Sequence, residues 1–91
     1  MEFLALIKKL LRINHNALDE VIKFNINAAL QDMQEQGVDV DSQSDTVVKA
    51  VENYCKWQMN HNGEAERYEK HYELLRNTMA EQLEYRSDTD A

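Results

Sequence analysis

The sequence predicts an all-α domain, a small bundle of about four helices with a short N-terminal helix and a long C-terminal one. Three observations predict it. The 91-residue chain has no proline and only two glycines, where average usage gives roughly four or five prolines and six glycines. So few breakers leave little punctuation for the many turns of an all-β domain. Apolar residues recur at spacings of three and four over long stretches, which is the period of a helix burying one face. Leu, Ile, Val and Phe supply 21 of the 91 residues, enough for a core and more than a disordered segment carries. At this length there is one core, so residues 1–91 are expected to form a single domain.

The first helix is expected over about residues 2–13. Lys8, Lys9 and Arg12 oppose Phe3, Leu6, Ile7, Leu10 and Leu11. A basic amphipathic segment can lie on a membrane surface, but a helix of this length is expected to dock its apolar face on its own domain. The second helix is expected over residues 17–36. Asn16 serves as its N-cap, Asp19 and Glu20 put negative charge in its first turn, and Gly37 supplies the C-terminal stop. Leu18, Ile22, Ile26, Ala29 and Met33 make its apolar face, and Phe24 projects away from the centre of that face.

Residues 38–44 are expected to form a solvated loop. From Asp32 to Asp45 there are five acids and no base. Asp39 and Asp41 do not make a calcium loop, because the glycine and terminal glutamate of that motif are missing at their offsets.

The third helix is expected over residues 45–62, capped by Ser44 or Asp45 and stopped by Gly63. Val47, Val48, Val51, Cys55 and Met59 form one face, and Ala50, Tyr54, Trp57 and His61 form its neighbour. A helix apolar around most of its circumference is central to a fold or shared with another subunit. The fourth helix is expected over residues 64–84, with a seam of Ala65, Tyr68, Tyr72, Leu75 and Met79. Glu66 with Lys70 and Glu73 with Arg76 are placed to pair along its outer side. Residues 87–91 are polar and expected to fray.

Charge and composition narrow the function. Seventeen acids against ten bases give a net charge of -7, which argues against a tight grip on phosphates. One cysteine implies no intramolecular disulfide. The longest apolar run, Phe3 to Ile7, is short for a membrane span or a signal-peptide core. The expectation is a protein made in the cytoplasm, with protein partners and no membrane. His15, His61, His71 and Cys55 do not converge on a catalytic or zinc site, and Cys55 lies mid-face between Val51 and Met59 as a small hydrophobe would. Glycines only at 37 and 63 rule out a glycine-rich phosphate loop. The expectation is no enzyme, no cofactor and no metal.

The ordered pattern of the chain nevertheless resembles a known family. The run Lys9-Leu10-Leu11-Arg12-Ile13-Asn14-His15-Asn16-Ala17-Leu18-Asp19-Glu20, the pair Ala28-Ala29 and Gly37 are similar to the opening of the tailed-phage head–tail connectors, also labelled phage DNA-packaging proteins. Asp45-Thr46-Val47-Val48-Lys49-Ala50-Val51 followed by Tyr54-Cys55-Lys56 resembles the third helix of that family, with Thr46 where a proline is usual. Ala65-Glu66-Arg67-Tyr68, Lys70, Tyr72, Leu75 and Glu84-Tyr85-Arg86 resemble its last helix.

The resemblance implies a bacteriophage or prophage structural protein: an all-α adaptor at the head–tail junction of the virion, without catalytic residues. It would form a homo-oligomeric ring under the portal protein at head completion, extend the DNA channel, and dock the next head-completion or tail protein. Duplex DNA would pass through without being held, which suits an acidic protein. On that reading Phe24, Tyr54, Trp57 and Met59 are candidates for subunit contact, although the last three could equally complete the monomer core. Asp39, Asp41 and Asp45 would face the channel or a partner, and Leu83, Tyr85 and Arg86 would dock on the portal. The alternative is a small acidic helical regulator or inhibitor acting outside the virion.

Overall fold

The computed structural model describes residues 3–42 and 44–82. Among them the chain forms four α-helices: α1 (Phe3–Leu10), α2 (Asp19–Glu35), α3 (Asp45–Gln58) and α4 (Ala65–Glu81). Short 3₁₀ turns, Val40–Ser42 and His61–Gly63, lie between α2 and α3 and between α3 and α4. The fold is the small all-α bundle that the periodicity predicts, and each helix is shorter than its apolar pattern suggests. What stops them is local.

Helix α1 ends before the expected residue 13 because Arg12 turns left-handed, at φ +63°. The Ile13 N–H then donates to the Lys8 carbonyl (2.8 Å) and the Arg12 N–H to the Lys9 carbonyl (3.1 Å). That is a Schellman stop, in which glycine is the usual residue at the left-handed position. The same pair of bonds closes α2, from Val38 to Met33 and from Gly37 to Gln34, both 3.0 Å. There the left-handed residue is Gly37, at φ +91°, as the sequence predicts.

Asn16 does not cap α2. Its Oδ1 accepts instead from the Lys8 ammonium at 2.8 Å, and Leu18 occupies the cap position with no side-chain cap bond. A charged donor on α1 outcompetes a backbone N–H for the same oxygen. Lys8 also pairs with Asp19 at 2.8 Å, which ties α1 to the start of α2. Ser44 caps α3 as expected, its Oγ accepting from the Val47 N–H. Helix α3 stops at Gln58 rather than near residue 62 because Asn60 adopts φ +50°, a conformation asparagine tolerates better than most residues. The Asn60 side chain then accepts from the Ala65 N–H at 3.3 Å, at the start of α4.

Helix α3 is the hub, packed against α1, α2 and α4. Ile7 and Leu11 from α1 and its stop, Ile22, Ile26, Ala29 and Met33 from α2, Val47, Ala50, Val51 and Cys55 from α3, and Tyr72 and Met79 from α4 form one core. Val38 and Val40 join it. Over residues 38–41 the expected loop is therefore not simply solvated. Its Val-Asp-Val-Asp alternation sends valines inward, and Asp41 is exposed on the outside.

Candidate interaction surfaces

The aromatic residues singled out on α3 face largely into the molecule. Tyr54, Trp57 and Met59 are half-buried and pack against the core. The Tyr54 ring meets Trp57 edge-on at 5.3 Å and Tyr72 edge-on at 5.1 Å. Helices α1, α2 and α4 thus take up much of the apolar surface of α3 within one chain.

Phe24 behaves differently. It is 72% exposed on α2, and Val21, one turn earlier on the same strip, is 48% exposed. With Leu10 and Leu74 these are the large hydrophobic side chains left in solvent among the described residues. Beside the Phe24 strip runs a shallow groove lined by Phe3, Leu4, Lys23, Ile26, Asn27 and Leu30.

A polar network that the sequence does not announce joins α2 to α4. The Tyr72 hydroxyl donates to Asp32 Oδ2 at 2.6 Å, and Arg76 reaches the same oxygen at 2.9 Å. The guanidinium also lies 5.7 Å from the centre of the Tyr72 ring, within cation–π range. Arg76 thus turns to a carboxylate across the helix interface rather than pairing with Glu73 along its own helix. Burial works against the Asp32 charge, but the bonds from Tyr72 and Arg76 outweigh it and hold the carboxyl below its ordinary value. Burial and the bond to Asp32 push the Tyr72 hydroxyl far up. The available signal was the Tyr72–Arg76 spacing of four beside an apolar seam, with Asp32 adjoining core residue Met33.

Charge is segregated. Residues 3–16 contain Lys8, Lys9 and Arg12 and no acid. Lys9 and Arg12 are exposed and border a groove of about 560 Å³ that also includes Ala5, Lys8, Ile13 and Asn14. The α2–α3 connection is the acidic counterpart. Asp39 Oδ1 accepts from the Asp41 N–H at 3.1 Å and shapes the turn, while Glu35, Asp41 and Asp45 are exposed.

His15 and His71 are exposed, and His61 is half-buried with its ring edge-on to Tyr68. Cys55 is fully buried in the core, and burial pushes its thiol up to about 12. Among the described residues no three His, Cys, Asp or Glu side chains gather as a metal site, and no helix is long and apolar enough to cross a membrane. Leu83, Tyr85 and Arg86 lie outside the described residues. Comparison with protein-family models, curated proteins and solved structures finds no match.

Proposed function

We propose that this chain is a structural adaptor of the tailed-phage head–tail connector kind, forming a ring under the portal after DNA packaging. Phe24 carries the reading. The core closes without it, yet a full aromatic ring stands in solvent on the outer flank of α2 beside Val21. Aromatic side chains in such positions commonly anchor protein interfaces. A closed ring buries the same two patches at every junction, which gives a use to surface that a lone domain leaves wet.

Two further observations support the assignment. The likeness of the chain to the connector family runs from Lys9 to Arg86, and the small all-α bundle is the architecture that likeness implies. A net charge of -7 suits a conduit through which duplex DNA slides, because phosphate neutralisation is what creates tight non-specific binding. On this reading the protein is made in the bacterial host cytoplasm and resides at the head–tail junction of the virion.

The test is negative-stain imaging of the purified chain mixed with the portal protein of the same genome. Rings capping the portal are expected. A genome without a portal gene, or a portal that remains bare, would overturn the assignment in favour of a regulator acting outside the virion.

A further inference from the structure

We infer that the basic edge of α1 receives the acidic α2–α3 connection of a second copy of this chain, making a head-to-tail junction. The inference deepens the ring reading and rests on it for closure of the ring. The contact itself is testable without a portal.

The α1 edge carries charge that its own chain leaves unpaired among the described residues. Of the three cations in residues 3–16, Lys8 is engaged by Asp19 and Asn16 within its own chain. Lys9 and Arg12 are exposed and pair with no carboxylate among the described residues. They border a groove of about 560 Å³ that also contains the apolar side chains of Ala5 and Ile13. Such an edge accepts a short segment bearing exposed carboxylates. The α2–α3 connection has that chemistry, with Glu35, Asp41 and Asp45 exposed and no base between Asp32 and Asp45.

The two features cannot meet within one molecule. Residues Leu10, Leu11 and Arg12 border the α3–α4 turn at His61 and Asn62, whereas the acidic connection precedes the opposite end of α3. Helix α3 has 14 residues, which puts about 21 Å between its ends. That is about twice the screening length at moderate salt. Each copy therefore offers one basic and one acidic surface, both unsatisfied by the other. A contact between unlike patches is heterologous, and it propagates until rotation closes a ring.

Charge reversal tests this. Lys9→Glu with Arg12→Asp inverts the edge, and aspartate tolerates the left-handed backbone at position 12. Glu35→Lys with Asp41→Lys inverts the connection, and lysine suits the C-terminal end of α2. All four positions are exposed. Sedimentation of the whole chain at millimolar concentration and low salt is expected to show association of the wild type that weakens as salt rises. Each double variant alone should associate at least about tenfold more weakly. Their equimolar mixture should regain association, since every junction between unlike variants joins opposite charges. A wild type that stays monomeric, variants that associate like it, or a mixture without recovery would each overturn the inference. A portal that remains bare beside a self-associating chain would instead count only against the virion assignment.

Discussion

Tyr72 of α4 donates its hydroxyl to the Asp32 carboxylate of α2 across 2.6 Å, and the accepting oxygen also receives Arg76. The bond spans 40 positions in sequence and clamps α4 to α2 past the intervening α3. Tyr72→Phe keeps the ring packing and removes the donor. Hydrogen bonds to charged groups are worth about 1.5–3 kcal/mol when buried, and partial exposure of Asp32 lowers that to about 1–2 kcal/mol here. The melting temperature should fall by roughly 4–8 °C for each kcal/mol lost. Combining it with Asp32→Asn should cost clearly less than the sum of the single variants, because both break one network. Thermal and urea melts check both expectations.

The same network sets an acid limit. Asp32 titrates below its ordinary 3.8 in the folded chain. Its contribution is therefore fully present above the unfolded value and is lost as pH falls through the folded one. The stability advantage of wild type over Asp32→Asn should shrink between about pH 5 and pH 2. Tyr72 has the opposite linkage. Its folded value lies above 10.0, so its contribution is present below that pH and declines in stronger alkali. Urea melts across a pH series measure both limbs. An advantage that is constant from neutral to acid pH would remove Asp32 from the account.

The helices and their inward faces were legible because apolar period and cap chemistry are local signals. Ser44 and Gly37 do what their residue types suggest. Asn16 does not, because Lys8 becomes a better partner only once α1 is folded against α2. The early stop of α1 was equally hidden, since nothing about Arg12 as a residue announces a positive φ. Around α3 the pattern showed an excess of apolar surface without showing what covers it. The tertiary fold supplies much of that cover, and among the described residues Phe24 is the exposed aromatic, on the side that periodicity had already turned outward. Pairing across helices leaves no local signal of this kind. Arg76 had a plausible partner in Glu73 one turn away and chose Asp32.

Cys55 should be chemically silent while the chain is folded. The thiolate is the reactive form, and burial both excludes reagent and pushes the thiol up to about 12. Ellman's reagent near neutral pH should label it only as fast as the domain opens, and labelling should accelerate across the urea transition in step with loss of helicity. Rapid labelling of the native chain would mean that α3 opens locally, apart from the rest of the core.

Phe24→Ala and Trp57→Ala should separate assembly from folding. The Phe24 side chain touches little of its own domain, so truncation should leave stability within about 0.5 kcal/mol while weakening ring formation. Trp57 packs on Tyr54 and Tyr72, so its truncation should cost the monomer about 1–3 kcal/mol. Urea melts read the first quantity, and imaging with portal reads the second. Unchanged ring formation by Phe24→Ala would remove that residue from the interface.

Arg12→Gly should make the chain more stable and less able to associate. A non-glycine residue in the left-handed region costs about 1–2 kcal/mol, and glycine is the common occupant of this stop. Part of that gain is offset by the greater freedom glycine gives the unfolded chain, about 0.4–1 kcal/mol. A net gain of between zero and about 1.6 kcal/mol is expected in urea. The substitution also removes one of the two exposed cations at the α1 groove, so sedimentation should show weaker self-association despite the firmer fold. Arg12→Lys keeps the charge and the backbone strain, and should behave as wild type in both measurements. Loss of stability in Arg12→Gly would mean that contacts of the arginine stem outweigh the strain at φ +63°.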